Sequence, residues 1–180
     1  MSAALLQDAN KQHTIADSLE SALHVLTWTA LRYIPHTMAS AFLNLHLRMV
    51  YDEYCTLTGT GGRLKGLSLA ARQYVPRALQ LEQPSPLLDL LETMSDPFVA
   101  VYGVEPDEST KYTQMEDQKD LLETFYKRRL ERSKSPGWFQ KTIEAALNDT
   151  WPMDDGSSEL LCQVQRARSP DEVNIPKRPR

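Results

Sequence analysis

From Asp17 to Tyr33 the chain runs seventeen residues without a Gly or a Pro. Leu19, Leu23, Leu26 and Ala30 recur at helical spacing, and Ala22, Val25, Trp28 and Leu31 carry the apolar surface most of the way round the cylinder. This pattern predicts a helix buried in the middle of the fold. Only Glu20, His24 and Thr27 interrupt it, as a polar line spaced four and three apart, and that line needs partners if it is covered. Thr14 and Asp17 are both candidate caps for the start of the helix. Ile34-Pro35-His36 ends it, because a proline disfavours helical backbone in the residue before it.

The same periodicity places further helices along the chain. Thr37 to Leu57 reads as one, with Met38, Phe42, Leu45 and Met49 on one stripe and Leu43, Leu47, Val50 and Tyr54 on the next. The glycines of Thr58-Gly-Thr-Gly-Gly62 stop it. A short helix is expected within Leu64 to Tyr74, then an irregular crossing marked by Pro76 and Pro84. Ser85-Pro86 opens a helix to Tyr102 with Leu87, Leu91, Met94, Phe98 and Val101 on one face, and Pro97 should divide it. An acidic hinge spans Gly103 to Lys111. Thr113-Gln-Met-Glu116 forms a capping box for a helix to about Ser133, with Leu121, Leu122, Phe125 and Leu130 inward. Ser135-Pro136 opens the last helix, to Leu147, carrying Trp138, Phe139 and Ile143, and Trp151-Pro152 closes the ordered part. No alternating run suggests a sheet, so the expected fold is all-α. The domain plan is an incoming segment at 1–13, a helical domain at 14–155 and a disordered tail at 156–180, poor in large apolar residues.

Composition adds exclusions. With 180 residues, 41% hydrophobic and 24% charged, the chain has enough material for one globular core. A net charge of −4 argues weakly against general nucleic-acid binding, and the basic terminus Pro176-Lys-Arg-Pro-Arg180 is a short, weak nuclear-localisation motif that leaves cytoplasm and nucleus both open. Neither a basic leader followed by an apolar run nor a membrane-length apolar segment is present, so the expectation is an intracellular protein away from the membrane. Cys55 and Cys162 lie far apart, with no Cys or His spacing of a zinc site, and read as reduced thiols.

Candidate chemistry is sparse. Lys65 follows a glycine-rich turn, but that turn succeeds a helix and lacks the Gly-x-x-x-x-Gly-Lys-Ser/Thr spacing, so a plain connection is the reading. His24 pairs with Glu20 at i,i+4 as a structural histidine rather than a general base. His13, His36 and His46 are scattered without metal-ligand spacing. Asp107-Glu108, Asp154-Asp155 and the Lys127-Arg128-Arg129 cluster read as solvated surface. No catalytic, cofactor-binding or metal residue is assigned.

One resemblance stands beside this reading. His13-Thr-Ile-Ala-Asp-Ser-Leu-Glu-Ser-Ala-Leu-His-Val-Leu-Thr-Trp-Thr-Ala-Leu-Arg-Tyr33 resembles the stretch of fungal-type protein kinases that reads roughly His-Thr-x-x-Asp-Asp-Leu-Glu-Ser before an apolar run ending in Tyr. Tyr51-Asp-Glu-Tyr54, Gly61-Gly62 with Lys65, Pro86-Leu-Leu, Tyr102, and Leu147 with Trp151-Pro152 follow in the family's order, and Met1-Ser2 is similar to the end of its Gly-Thr-x-x-Phe-Met-Ser segment. The likeness covers residues 1–155 and implies the helical part of a kinase C-terminal lobe, built round one central helix. In intact relatives it implies serine/threonine phosphorylation with ATP and magnesium. The Gly-rich loop, strand lysine, His-Arg-Asp loop and Asp-Phe-Gly that this chemistry needs are not in the chain. The expectation is therefore a unit silent on its own, either a remnant or the product of a truncated gene model, that holds no cofactor. Ser18 stands where the family has the aspartate that braces the catalytic loop, and a hydroxyl is a weaker brace. The rival expectation is a non-catalytic helical module that binds a protein, or itself, through exposed apolar surface.

Overall fold

The long helix starts where its cap is strongest. In the computed structural model, which describes residues 1–55, 59–74, 86–103 and 116–151, Thr14 is the N-cap of α2 (Ile15–Tyr33). Thr14 Oγ1 accepts from the Asp17 amide while the Asp17 carboxylate accepts from the Thr14 amide at 2.8 Å, a reciprocal capping box that places a negative charge on the positive end of the helix. The Ile34 amide donates to Ala30 at 3.0 Å, and Pro35 prevents further turns.

Around α2 lie α1 (Ala3–Gln7), α3 (Ser40–Tyr51), α4 (Arg63–Ala70), α5 (Pro86–Ser95), α6 (Phe98–Tyr102), α7 (Glu116–Ser133) and α8 (Pro136–Leu147). The described residues are mostly helical, as the periodicity required. Pro97 divides α5 from α6, and Ser135 caps α8 through the Trp138 amide at 3.2 Å with Pro136 in the first turn. Two two-residue strands, β1 (Tyr54–Cys55) and β2 (Thr60–Gly61), pair antiparallel across the glycine-rich turn. That hairpin escapes a search for alternating runs because two residues cannot show a period. No described helix is long and apolar enough to cross a membrane.

The core joins α2, α3, α4, α5, α6 and α8: Leu23, Leu31, Leu43, Leu69, Leu91, Met94 and Phe98 are each at most 1% exposed, and Phe139 of α8 is 3% exposed. Phe98 meets Phe139 edge-on with centroids 6.0 Å apart, the geometry aromatic quadrupoles favour. At the far end of α5, Asp96 accepts from Arg129 Nε at 2.9 Å, tying α7 to the α5–α6 corner.

Expectations for α2, α3 and α7 are corrected. Of the apolar residues expected to wrap α2 in core, Ala22 and Val25 face solvent, with Ile15, Ser18 and Thr29 on the same strip; Leu23, Ala30 and Leu31 are buried, together with the polar Asp17, Glu20, His24 and Thr27. The helix expected over Thr37 to Leu57 spans only Ser40–Tyr51, with Tyr54 in β1; of its two stripes, Phe42, Leu45 and Met49 point outward while Leu43, Leu47 and Val50 point in, because one side of the helix suffices to meet α2 and α4. On α7 the expected inward residues Leu121, Leu122 and Phe125 are exposed, and the helix packs through its C-terminal half, where Leu130 and Arg132 are half-buried and Ser133 fully so. The expected capping box at Thr113–Met115, the hinge, the crossing at Pro76 and Pro84, Cys162 and the tail from Pro152 lie outside the described residues.

Candidate functional site

Buried ionisable groups converge along the polar strip of α2. At its N-terminal end Asp17, 3% exposed, accepts from Ser2 Oγ at 2.7 Å, from Thr14 Oγ1 at 2.6 Å and from the Lys11 ammonium. Burial opposes the charge on Asp17, yet the hydrogen bonds from Lys11, Thr14 and Ser2 outweigh it and hold the carboxyl well below the usual carboxylate range. Ser2 Oγ in turn accepts from the Leu5 amide at 3.2 Å and so caps α1.

One turn further, Glu20 is 2% exposed and receives three donors. Its Oε1 takes the Ala3 amide at 2.7 Å and His24 Nε2 at 2.9 Å; its Oε2 takes the Tyr102 hydroxyl at 2.6 Å. Tyr102 also accepts from the Ala4 amide at 3.0 Å, so two consecutive backbone amides of α1 end on groups anchored in α2 and α6. Because Nε2 must donate to the carboxylate, Nδ1 of a neutral His24 is an acceptor, and it is bonded to the Tyr74 hydroxyl. Tyr74 is joined at 2.9 Å to the Tyr51 hydroxyl. Burial pushes both phenols, and that of Tyr102, above their ordinary value. Lys65 lies beside this chain, 5% exposed, its Nζ 5.4 Å from the centre of the Tyr51 ring. Burial lowers its affinity for a proton, against the pull of Glu20, Asp52 and Glu53.

Glycines let the covering elements approach. Gly62 sits at φ 75°, and a Cβ there would stand 2.8 Å from Leu6 Cβ; its carbonyl accepts from Gln7 Nε2 at 3.1 Å. A Cβ on Gly66 would reach within 3.1 Å of the Tyr102 ring. The glycine-rich turn therefore serves close packing of α1 and α6 on α4, consistent with its reading as a plain connection.

Asp17, Glu20, His24 and Tyr74 are each at most 3% exposed and each is spent on a neighbour. The pairing of His24 with Glu20 is as the spacing indicated. The other histidines stay apart: His13 is exposed, His36 Nε2 donates to the Leu31 carbonyl at 3.0 Å, and His46 Nε2 is buried without a partner. No group of three His, Cys, Asp or Glu able to hold a metal occurs among the described residues. Ser18, at the position the resemblance gives to the bracing aspartate, faces solvent, and it is Asp17 that grips the preceding segment.

Sequence reasoning missed Asp17's grip on Ser2 and the contributions of Tyr51, Tyr74, Tyr102 and Lys65. Each is a single residue on a different element, and only the polar interruption of α2 signalled that partners had to exist. No family model, curated protein or solved structure matches the chain.

Proposed function

We propose that this chain is the helical part of a C-terminal lobe of the fungal-type protein kinase kind, without phosphotransfer of its own. The observation that carries the reading is the acidic start of α2. Asp17 and Glu20 take a hydroxyl and a backbone amide of the segment that precedes the helix, while Ser18, where the resemblance puts the aspartate that braces the catalytic loop, faces solvent, which supports a unit without phosphotransfer. ATP and magnesium belong to intact relatives, and this chain is expected to bind neither tightly. Calorimetric titration with Mg·ATP tests this: no binding up to millimolar nucleotide is expected, and micromolar, magnesium-dependent affinity overturns it. The transcript sequence 5′ of Met1 is the complementary test, since an in-frame nucleotide lobe with a His-Arg-Asp loop makes the chain a piece of an enzyme.

A second reading, a protein-interaction module, is favoured by the outward stripe of α3. Phe42, Leu45 and Met49 are 69%, 53% and 46% exposed on consecutive turns, a patch that a second copy or a partner protein would cover. Light scattering with a hydrophobic dye separates the readings. A monomer that leaves the dye dark counts against the module.

A further inference from the structure

Glu20 Oε1 is shared between two neighbours of different strength. One is the Ala3 amide of the N-terminal segment and the other is the His24 ring. From the geometry we infer that protonation of His24 unlatches residues 2–7 from α2 while the rest of the fold stays closed.

The argument starts from what surrounds the ring. On α2 it meets Glu20, with Thr27 one turn and Asp17 two turns away on the same strip; α3 offers Tyr51, whose ring stands edge-on at 6.2 Å; Tyr74 follows α4, with its ring centroid at 5.1 Å. From α4 comes the Lys65 ammonium, from α6 Tyr102 through Glu20, and from the N-terminal segment the Met1 amino group. As built, the hydrogen-bond chain fits a neutral ring, with Nε2 donating to Glu20 and Nδ1 accepting from Tyr74. A second proton, on Nδ1, needs the Tyr74 hydroxyl to turn its hydrogen away, and it adds a cation beside Lys65 in a site 3% exposed. Burial, and after it the neighbouring cations against the pull of Glu20, keep the ring's proton affinity below that of a free histidine.

Relief comes from letting water in, and the covering elements differ in what they lose. Tyr74 is packed among core residues such as Leu23 and Leu69. The N-terminal segment is the weaker cover. α1 has five residues, too few to hold a helix alone, and of its side chains only Ala3 is buried. It is held by polar contacts to Asp17, Glu20, Tyr102 and Gly62, three of which lie on or beside the ring's own network.

Linkage gives the direction. With the folded value below the ordinary 6.5, the closed form refuses the proton that the open form takes. Closure is therefore complete above that pH, and the opening constant grows about tenfold for each pH unit between the two values. Amide exchange on the full chain, corrected for intrinsic rates, reads this between pH 7.5 and 5.0. Protection of Ala3 and Ala4 is expected to fall below pH 6.5, by up to about tenfold per unit until the closed form also takes the proton, while Leu90 and Leu91 in α5 hold theirs. His24→Gln, which keeps a donor and an acceptor but cannot titrate, should flatten the slope. Should that variant fail to fold, Lys65→Met decides: without the opposing cation the closed form takes the proton more readily, so the fall in α1 protection should be smaller and level off at a higher pH. The inference is overturned if α1 protection is flat with pH, if α1 and α5 lose protection together, if the slope survives in His24→Gln, or if Lys65→Met leaves the size of the fall unchanged.

Discussion

Helices α2 and α3 are neighbours of similar apolar content, yet α2 buries a polar line beside its core residues Leu23, Ala30 and Leu31, whereas the buried residues of α3 are all apolar. α2 hides Asp17, Glu20, His24 and Thr27 and leaves Val25 64% exposed; α3 buries Leu43, Leu47 and Val50 and leaves Phe42 69% exposed. Burial on α2 therefore follows the availability of hydrogen-bond partners as much as hydrophobicity. A carboxylate with three donors and a histidine with two partners can lie inside, whereas the same groups unpaired would cost several kcal/mol each. α3 obeys the ordinary rule on its inner side and has a second apolar side with nothing among the described helices to cover it.

The sharpest way to break that contrast is to remove the hub of the α2 strip. Glu20→Ala leaves the Ala3 amide, the Tyr102 hydroxyl and His24 Nε2 without their acceptor. The expected loss is about 4 kcal/mol of unfolding free energy in urea titration. A loss under about 1 kcal/mol would mean that the strip is wetter than its burial implies.

On α3 the comparison sharpens between adjacent residues. Leu43→Ala, at a site 1% exposed, should cost about 3 kcal/mol through lost contacts and an unfilled cavity. The two helices then differ in kind: α2 loses stability when a charge goes, α3 when a methyl cluster goes.

Much of this was legible in the residues and some was not, for physical reasons. Pro97, Pro136, Ser135 and the glycines mark their boundaries through local backbone chemistry, which a sequence carries in full. Which side of α3 or α7 faces inward depends on the partners available, and with apolar residues on both sides of α3 the period alone cannot choose. The polar line of α2 announced a need for partners, but Tyr102 stands 82 residues from Glu20 and Tyr74 stands 50 from His24. Those contacts are made by the fold and leave no spacing to read.

Acid titration gives the next smaller effect on the α2 side. The Asp17 carboxyl is held below its ordinary 3.8 in the folded chain. Its contribution is present above that value and lost as pH falls through and below it, since the unfolded chain then binds the proton first. Asp17→Asn should cost about 2 kcal/mol at pH 7 and make the stability curve shallower below about pH 4. An unchanged acid limb would assign the acid sensitivity to other carboxylates.

The smallest effect on stability is expected on the outer side of α3, where it tells most about function. Phe42→Ser removes a large side chain that makes little use of the core, so unfolding free energy should move by less than about 0.5 kcal/mol. Dye binding and any self-association should fall with it, because Phe42 is the most exposed member of the Phe42, Leu45 and Met49 stripe. If stability drops as far as it does for Leu43→Ala, then the stripe is covered within the chain itself, and α3 has the same economy as α2 after all: every face in contact, with nothing left over for a partner.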